Sequence, residues 1–247
     1  MSKTAIVTGA TGAIGGAIAR RLAAEGWRLI LPVRNAAGKS KLPGTVAEVD
    51  LSRRASIEAF ARTISGPVHA IVNNAAECPR AREETPEGIE RQLATNVLGY
   101  LWMVLALEPA LALAARSRVV LVASYWAGGL ELDDLEFRRR RYDNGSAYRQ
   151  SKQADRMLAA ALVDRLGALG AWVASCHPGD VNSKLSNALG FGGSESPEQG
   201  ADTPAWLVST GDPGPSGAYY AQRKVAPCPY SRDGTRAAQL DQALLAY

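Results

Sequence analysis

Short apolar runs alternate with longer amphipathic segments along nearly the whole chain. Buried strands are predicted from the short runs, which lie at residues 4–8, 27–33, 45–49, 68–72, 118–123 and 171–176. Helices are predicted from the longer segments, which lie at residues 14–25, 56–64, 93–115, 147–169 and 197–208. Continuous apolar strands separated by helices indicate a parallel sheet that is covered on both faces.

No linker, repeat or low-complexity segment interrupts this pattern, so one doubly wound α/β domain is predicted over residues 1–247. The composition agrees, because 47% hydrophobic and 21% charged residues are ordinary for a globular protein. The longest apolar region, residues 97–115, contains Glu108 and Pro109. These two residues favour a buried helix over a membrane span.

The cysteines and the chain start suggest a cellular compartment. The first residues lead directly into a strand, so no signal peptide is expected. Cys78, Cys176 and Cys228 are odd in number and lack metal-ligand spacing, which favours reduced thiols. The two histidines, His69 and His177, are too few and too far apart to predict a metal site. A cytoplasmic protein is the expectation.

The net charge of +4 includes one dense basic run, four arginines from Arg138 to Arg141. Four acidic residues precede the run between positions 131 and 136. Two interpretations are open: a solvated loop with locally balanced charge, or a contact with an acidic substrate or carrier. Because no aromatic residues are interleaved with the basic ones, a nucleic-acid partner is not expected.

Two tyrosines each precede a lysine by four positions, Tyr148 with Lys152 and Tyr220 with Lys224. On a helix this spacing places both side chains on one face. A nearby ammonium favours the phenolate, so it would lower a tyrosine pKa from its usual value of about 10. Such a tyrosine can exchange a proton with a carbonyl or an alcohol oxygen. The spacing alone does not say which pair is functional.

A glycine-rich turn follows the first strand and opens the first helix, with Gly9, Gly12 and Gly15 as its glycines. Glycines allow a tight turn and a close approach of the backbone to a pyrophosphate, which then lies at the positive end of the helix. A purely structural turn is the alternative, but the strand–turn–helix context favours dinucleotide binding.

Arg34 lies where the second strand ends, at a position that is usually acidic in NAD-specific folds. An acidic side chain would repel a ribose 2′-phosphate, whereas a guanidinium binds it through charge-assisted hydrogen bonds. NADP(H) is therefore the predicted cofactor, with a surface arginine of no particular role as the alternative.

In this order the motifs resemble the short-chain dehydrogenases/reductases over nearly the whole chain. Asn96, Ser124, Tyr148 and Lys152 fall on the catalytic tetrad of that family. The resemblance implies that Tyr148 is the general acid or base and that Lys152 lowers its pKa and binds the nicotinamide ribose. It implies further that Ser124 holds the substrate oxygen and that Asn96 positions a water. Tyr220 is then a packed tyrosine or one in a terminal strand.

The resemblance implies a single Rossmann domain with about seven parallel strands. Residues 1–145 would mainly bind the cofactor, and residues 146–247 would supply the catalytic helix, the substrate loop and the C-terminal elements. The cofactor contacts implied, besides Tyr148 and Lys152, are Gly9, Thr11, Gly12, Ala13, Ile14, Gly15, Arg34, Asn35, Asp50, Leu51, Asn74, Ala75, Ala76, Pro178, Gly179, Val181 and Ser183.

Within the family the chain looks most like the branch of retinol dehydrogenases and protochlorophyllide reductases, which uses NADP. This resemblance implies carbonyl reduction or alcohol oxidation. Tyr125, Trp126 and Phe191 are candidates for binding a large apolar or aromatic substrate. The helices at 93–115 and 147–169 resemble those that pair in family dimers and tetramers, so a homodimer or homotetramer is a further expectation.

Three alternative functions remain open. Epimerase or dehydratase activity is the first, because the spacing of Gly12 and Ala13 partly resembles the extended, epimerase-type members. Ala76 also replaces a glycine that is usual in the family. Reduction of an activated C=C or C=N bond would use the same groups. A non-catalytic NADP sensor is the third alternative, although retention of Tyr148 and Lys152 argues against it.

Overall fold

In the computed structural model, which describes residues 2–39, 41–231 and 233–247, eight strands form one sheet. In chain order they are β1 (Thr4–Val7), β2 (Arg28–Val33), β3 (Thr45–Glu48), β4 (Ala70–Asn73), β5 (Arg118–Val122), β6 (Trp172–Cys176), β7 (Tyr219–Ala221) and β8 (Lys224–Val225). Their spatial order is β3-β2-β1-β4-β5-β6-β7-β8, and neighbours are parallel except for the antiparallel pair β7 and β8. The predicted sheet is confirmed, with one additional antiparallel strand at its edge.

The strand order reverses between β1 and β4, at the middle of the sheet. Ile6 of β1 pairs with Ile30 of β2 on one side and with Ile71 of β4 on the other. In open α/β sheets the crevice outside the carboxyl ends of the strands, at such a reversal, is where ligands bind. The topology therefore predicts a ligand-binding crevice at the carboxyl ends of β1 and β4.

Helices cover both faces of the sheet. In chain order they are α1 (Ala13–Ala24), α2 (Arg54–Arg62), α3 (Gly99–Ala112), α4 (Asn144–Ala161), α5 (Val163–Gly167), α6 (Lys184–Ala188), α7 (Pro197–Gly200), α8 (Asp202–Ser209) and α9 (Gly234–Leu245). Side chains of α1 and α8 pack in one apolar cluster. Those of α2, α3, α4, α5 and α9 pack in the other. These two clusters are the layers that burial of a parallel sheet requires.

Helix boundaries differ from the predicted ones for local reasons. The segment predicted as one helix at 93–115 begins in π-helical geometry at Leu93–Leu98 and continues as α3. The helix predicted from residue 147 begins earlier, because the Asp143 carboxylate caps it by accepting a hydrogen bond from the Ser146 amide at 2.7 Å. It ends at Ala161, and the chain continues as α5.

The C-terminal helix α9 was missed from the sequence, although Asp233 is a good capping residue and accepts a hydrogen bond from the Arg236 amide at 3.0 Å. Its buried positions are Ala237, Leu240 and Leu244, at the spacing of an amphipathic helix. Leu240 and Leu244 join the same apolar cluster as α4. The helix also anchors the loop before α4, because the Arg236 side chain donates to the Leu130 carbonyl oxygen at 2.8 Å.

The helix Leu93–Ala112 is long and apolar enough to cross a membrane by length and composition, with a mean hydropathy of 1.3. However, 72% of that window is buried inside the fold. This burial confirms the predicted core helix. A helix in the core of a protein can be as long and apolar as one that spans a membrane.

Acidic neighbours balance much of the arginine run before α4. The buried Asp134 carboxylate accepts hydrogen bonds from the backbone amides of Arg138 at 2.8 Å and Arg140 at 3.0 Å. Arg138 also pairs with Glu136 at 2.9 Å, and Arg140 with Glu131 at 2.8 Å. These contacts are those of a solvated loop with locally balanced charge.

Candidate active site

The glycine turn has a shape that side chains would obstruct. Gly9 has a φ of +71°, and a Cβ there would lie 2.8 Å from the Cα of Ala75. A Cβ on Gly15 would lie 2.3 Å from the carbonyl oxygen of Gly9. Gly12 caps α1 with an extended backbone and has no side chain to occupy the first amides of the helix. The turn therefore leaves a helix N-terminus open to an anion, which fits the pyrophosphate of a dinucleotide.

The turn is attached to the end of β4 through Thr8, the first residue of the predicted cofactor turn. The Thr8 hydroxyl oxygen accepts hydrogen bonds from the Asn74 amide at 2.9 Å and the Ala75 amide at 3.0 Å. The Asn74 side chain donates to the Thr8 carbonyl oxygen at 3.0 Å. These contacts bring two predicted cofactor segments together at the strand-order reversal. Ala76 follows directly on this attached segment.

Arg34 extends from the end of β2 with 65% of its side chain exposed. Its NH1 lies 3.1 Å from Oε2 of Glu77. Glu77 also accepts hydrogen bonds from Arg91 Nε at 2.9 Å and from the Thr95 hydroxyl at 2.6 Å. The adjacent Asn35 caps its own turn, since its Oδ1 accepts from the Ala37 amide at 2.8 Å. The guanidinium is accessible to a phosphate, and Glu77 is an acidic neighbour that the sequence did not reveal.

Asp50 and Leu51 stabilise the turn after β3. The Asp50 carboxylate accepts hydrogen bonds from the Ser52 amide at 3.0 Å and the Ser52 hydroxyl at 2.7 Å. Leu51 is buried, and a Cβ on Gly99 would lie 2.6 Å from its carbonyl oxygen. The close packing of this turn against the start of α3 fixes its place beside the crevice.

Asn96 is fully buried in the π-helical segment and holds the chain that follows β4. Its Oδ1 accepts a hydrogen bond from the Glu77 amide at 2.9 Å, and its Nδ2 donates to the Glu77 carbonyl oxygen at 3.1 Å. Nδ2 also lies 3.2 Å from the hydroxyl oxygen of Ser151, the residue before Lys152. Asn96 thus connects the chain beside the cofactor crevice to α4, the helix that contains Tyr148.

Tyr148 is buried near the N-terminus of α4 and faces Ser124, which follows β5. Burial raises the pKa of Tyr148 above its usual value, and the Ser124 hydroxyl opposes this rise through hydrogen bonding. The Ser124 hydroxyl oxygen accepts a hydrogen bond from the Trp126 amide at 3.1 Å. A carbonyl oxygen between Tyr148 and Ser124 would meet two hydroxyl groups. This direction is the opposite of the lowered Tyr148 pKa that the spacing of Lys152 predicts.

Burial is the main cause of the raised pKa, and the Lys152 ammonium is directed to other partners. Its Nζ lies 2.8 Å from Oδ2 of Asp155 and donates to the Val122 carbonyl oxygen at 3.0 Å. It lies 5.1 Å from the ring centroid of Tyr100 and 5.9 Å from that of Tyr148. The ammonium is therefore balanced by a buried carboxylate. Asp155 is a site residue that the sequence reasoning missed, although its i,i+3 spacing from Lys152 was visible.

The structure separates the two tyrosine–lysine pairs. Tyr220 lies in β7, and its hydroxyl donates to the carbonyl oxygens of Pro213 at 2.6 Å and Pro215 at 3.1 Å. A two-residue turn with positive φ then reverses the chain, so Lys224 lies on β8 and is exposed. The predicted terminal-strand tyrosine is confirmed. Tyr220 and Lys224 lie on the two strands of a hairpin.

The segment after β6 approaches the crevice from its other side. Gly179 has a φ of +102°, and a Cβ there would overlap the Glu195 carboxylate. Val181 is buried and bridges to Glu195, while Ser183 caps α6 by accepting a hydrogen bond from the Ser186 amide at 3.1 Å. Pro178 precedes this turn. The predicted contact segment is thus a tightly packed loop, and its shape is fixed at Gly179.

Aromatic rings gather beside Ser124. The ring centroids of Trp126 and Phe191 are 4.2 Å apart, and Tyr125 lies 4.8 Å from His177 in an edge-on contact. Tyr125 is 51% exposed. Burial lowers the pKa of His177 to about 4, with Arg156 acting in the same direction, so the imidazole is neutral at physiological pH. Three residues predicted for substrate binding therefore lie together, and His177 joins them.

Comparisons with known proteins agree with this arrangement. A family model described as short chain dehydrogenase matches residues 3–190. Retinol dehydrogenase 13 of Mus musculus is 33% identical over 205 residues, which cover 76% of this chain and 61% of that protein. The crystal structure of an uncharacterized protein from Mycobacterium paratuberculosis has a TM-score of 0.84 at 29% identity, covering 99% of this chain and 92% of that one.

A metagenomic short-chain oxidoreductase solved in complex with NADP has a TM-score of 0.64 at 25% identity. The likeness covers 84% of this chain and 91% of that chain. The chain thus spans less than two thirds of the curated relative, Retinol dehydrogenase 13, but almost the full length of the two solved structures.

Proposed function

This chain belongs to the short-chain dehydrogenase family, and on that premise we propose that it is an NADP(H)-dependent oxidoreductase. Its reaction is carbonyl reduction or alcohol oxidation on a fairly large apolar or aromatic small molecule. The observation that carries the proposal is the pair of hydroxyl groups, Tyr148 and Ser124, at the carboxyl edge of the sheet beside the glycine turn. Oxygen chemistry needs a proton donor and a hydrogen-bonding partner at one point, and this pair provides both.

The nicotinamide cofactor, when bound, supplies or accepts the hydride. The chain would hold its pyrophosphate at the amides that open α1, those of Ala13 and Ile14. Tyr148 would exchange the proton at the substrate oxygen, and Ser124 would orient that oxygen. Lys152 would bind the nicotinamide ribose, and Asn96 would hold the neighbouring chain in place. Each role corresponds to a family position that this sequence retains.

Arg34 supports a preference for NADP(H) over NAD(H). Its guanidinium is exposed at the end of β2, and only NH1 contacts Glu77. The remaining nitrogens can donate to a 2′-phosphate while Glu77 keeps the side chain in place. Charge-assisted bonds of this kind are stronger than neutral ones.

The aromatic rings beside Ser124 support a bulky substrate. Tyr125, Trp126 and Phe191 offer apolar surface next to the position of the reacting oxygen. Aromatic and apolar linings with a few polar groups are typical of small-molecule sites. The retinol dehydrogenase relative is named for an apolar substrate, which agrees with this class.

A cytoplasmic location is part of the proposal, and it depends on the thiols. Cys78, Cys176 and Cys228 are all free in the described structure. Free thiols are usual in reducing compartments. Fractionation of cells that produce the full chain, with antibodies to compartment markers, checks this location.

The decisive experiment follows NADPH consumption with ketones, quinones, enones and imines as substrates, for the protein and for its Tyr148→Phe variant. We expect turnover with carbonyl compounds and a loss of about 10²- to 10⁴-fold in the variant, because the proton donor is removed. Tyr220→Phe is the matched control, since it removes a hydroxyl of β7 that donates to the backbone carbonyls of Pro213 and Pro215.

Near-normal turnover in Tyr148→Phe would contradict the proposed role. Turnover confined to enones or imines would favour the C=C or C=N reductase. Tight NADPH binding with no turnover on any substrate class would favour a sensor.

A further inference from the structure

Arg156 is a buried arginine of α4, about two helical turns after Tyr148, and the proposed reaction does not use it. Its Nη2 donates hydrogen bonds to the Ser124 carbonyl oxygen and to the Tyr219 hydroxyl, the latter at 2.8 Å. The guanidinium carbon lies 3.7 Å from the ring centroid of Tyr219 and 5.8 Å from that of Tyr230. In the described part of the chain these partners are a carbonyl, a hydroxyl and two rings, with no carboxylate among them. Because a buried guanidinium is costly unless it is hydrogen-bonded, Arg156 is held firmly between Ser124 and Tyr219.

Arg156 contacts Ser124 through the backbone, while the Ser124 hydroxyl faces Tyr148. The carbonyl carbon and the side chain of Ser124 are bonded to the same Cα. Holding the carbonyl therefore leaves rotation about χ1 as the main freedom of the hydroxyl. The Trp126 amide restricts this rotation, because it donates to the Ser124 hydroxyl oxygen at 3.1 Å. Together the two contacts define where the Ser124 hydroxyl lies.

The residues that follow form a loop, residues 124–128, which we call the Ser124 loop. Side chains from other elements hold its carbonyl oxygens. Arg149 Nε donates to the Trp126 carbonyl oxygen at 3.2 Å, and the Tyr230 hydroxyl donates to that of Ala127 at 3.0 Å. The Ser124 loop is thus fixed near its end by α4 and by the segment before α9.

Arg156 connects the start of the Ser124 loop to the elements on its far side. Tyr219, which accepts the hydrogen bond from Arg156, lies in β7 and pairs with Ser175 of β6. Tyr230, the second ring beside the guanidinium, is the residue that holds the end of the loop. One buried side chain therefore contacts the loop, the sheet and the C-terminal segment.

We propose that Arg156 is a positioning residue, which anchors the Ser124 loop to β7 so that the Ser124 hydroxyl stays opposite Tyr148. This inference rests on the proposed function, because it assigns a task to a residue behind the same site. Without the anchor, the Ser124 carbonyl loses its charged donor and the loop can shift. A displacement of about 1 Å at reacting groups can lower a rate by about 10²-fold. Arg156 acts through Ser124 and not on the reacting atoms.

The test compares kcat for the parent protein, Arg156→Met, Ser124→Ala and the double variant, with the ketone that gives the highest turnover in the NADPH screen. Methionine is a flexible apolar side chain that donates no hydrogen bond. We expect Arg156→Met to lower kcat by about 10- to 100-fold. In the Ser124→Ala background the same change should cost less than about threefold, because the hydroxyl that Arg156 positions is already absent. Losses that multiply, or a normal kcat in Arg156→Met, would overturn the proposal.

Binding of NADPH separates positioning from general damage. None of the predicted cofactor contacts is a partner of Arg156, so the Kd from nicotinamide fluorescence should stay within about threefold in Arg156→Met. Arg165→Met makes the same substitution at a half-exposed arginine of α5 that pairs with Glu108, and we expect it to change neither kcat nor Kd. A loss of NADPH binding that parallels the loss of turnover in Arg156→Met would show a general structural role and contradict the proposal.

Tyr219→Phe is the second variant, which decides the matter if Arg156→Met does not fold. It removes only the hydroxyl that accepts from Arg156 and leaves the ring in place. We expect a smaller loss of kcat in the same direction, about three- to tenfold, which again disappears in the Ser124→Ala background. An unchanged kcat, or a loss that persists without the Ser124 hydroxyl, would count against the anchor.

A readout without substrate follows Trp126 in the Ser124 loop by fluorine NMR. Fluorotryptophan labels all five tryptophans, and Trp126→Phe identifies the resonance from the loop. We expect this resonance to shift or broaden in Arg156→Met, whereas that of Trp27, which packs in the other apolar cluster, should not change. An unchanged Trp126 resonance would overturn the inference whether or not a substrate is found. Absence of turnover in the parent protein would instead contradict the proposed function alone.

Discussion

At the scale of single residues, the contact between Arg34 and Glu77 would link cofactor choice to the proposed catalytic centre. Glu77 holds Arg34 through its side chain, and Asn96 holds Glu77 through its backbone. A 2′-phosphate must share the guanidinium with this carboxylate. The Glu77 carboxylate is already stabilised there, because it accepts hydrogen bonds from Arg91 and Thr95. We therefore expect the preference for NADP to depend on the exposed Arg34 side chain, which Glu77 holds in place.

We expect Arg34→Ala to weaken NADPH binding by roughly tenfold or more, because at least one charge-assisted hydrogen bond is lost. NADH binding should stay within twofold, since NADH has no 2′-phosphate. Quenching or enhancement of nicotinamide fluorescence on titration gives both Kd values. Arg165→Ala is the control, because Arg165 is a half-exposed arginine paired with Glu108 on another face. An equal loss of affinity for NADPH and NADH would show that Arg34 does not bind the 2′-phosphate.

The sequence was sufficient to select Tyr148 over Tyr220, because the order of motifs places only the first on a helix after the Ser124 strand. It was not sufficient to predict what Lys152 does. The pairing with Asp155 is visible as a spacing, but its strength depends on the exclusion of water by α3 and β6. Glu77 was missed for a similar reason, since its partners come from two separate segments, the end of β2 and the helical stretch at residues 91–96. Contacts between distant segments are not encoded in local patterns.

At the scale of secondary-structure elements, α9 completes the packing around α4, the helix that contains Tyr148. It packs in the same apolar cluster as α4 and fixes the preceding loop through Arg236. Tyr247 lies two residues beyond the end of α9, and its hydroxyl donates to Glu136 at 3.1 Å. Because α9 packs against α4, a homodimer or homotetramer that uses α4 would have to form around this helix.

We expect Leu240→Ala to reduce the free energy of unfolding by about 2–5 kcal/mol, since Leu240 is fully buried and its loss leaves a cavity. Leu245→Ala makes the same change on the same helix at a position that is 42% exposed, and it should alter stability by about 0.5 kcal/mol at most. Urea unfolding followed by circular dichroism measures both. Similar small effects from the two variants would show that α9 is only loosely attached.

At the scale of the whole molecule, the proposed division into residues 1–145 and 146–247 describes function rather than folding. Within the sheet, β5 of the first part pairs with β6 of the second. One apolar cluster contains Ile57 of α2 and Leu158 of α4, so apolar side chains of the two parts are buried against each other. The two parts should therefore share one cooperative core.

We expect a single unfolding transition in urea, with the same midpoint by tryptophan fluorescence and by far-ultraviolet circular dichroism. The five tryptophans report on both parts, since three precede residue 145 and two follow it. Two separated midpoints, or fluorescence and circular dichroism curves that do not coincide, would show that the two parts fold independently.

The hairpin of β7 and β8 also affects how readily the protein aggregates in concentrated solution. A parallel sheet that ended at β7 would present a row of unpaired amides and carbonyls, on which another chain could add a strand. β8 covers that row with only two residues, one of them the charged Lys224. Pro227 and Pro229, which follow closely, have no amide hydrogen to donate. This edge is thereby a poor template for aggregation.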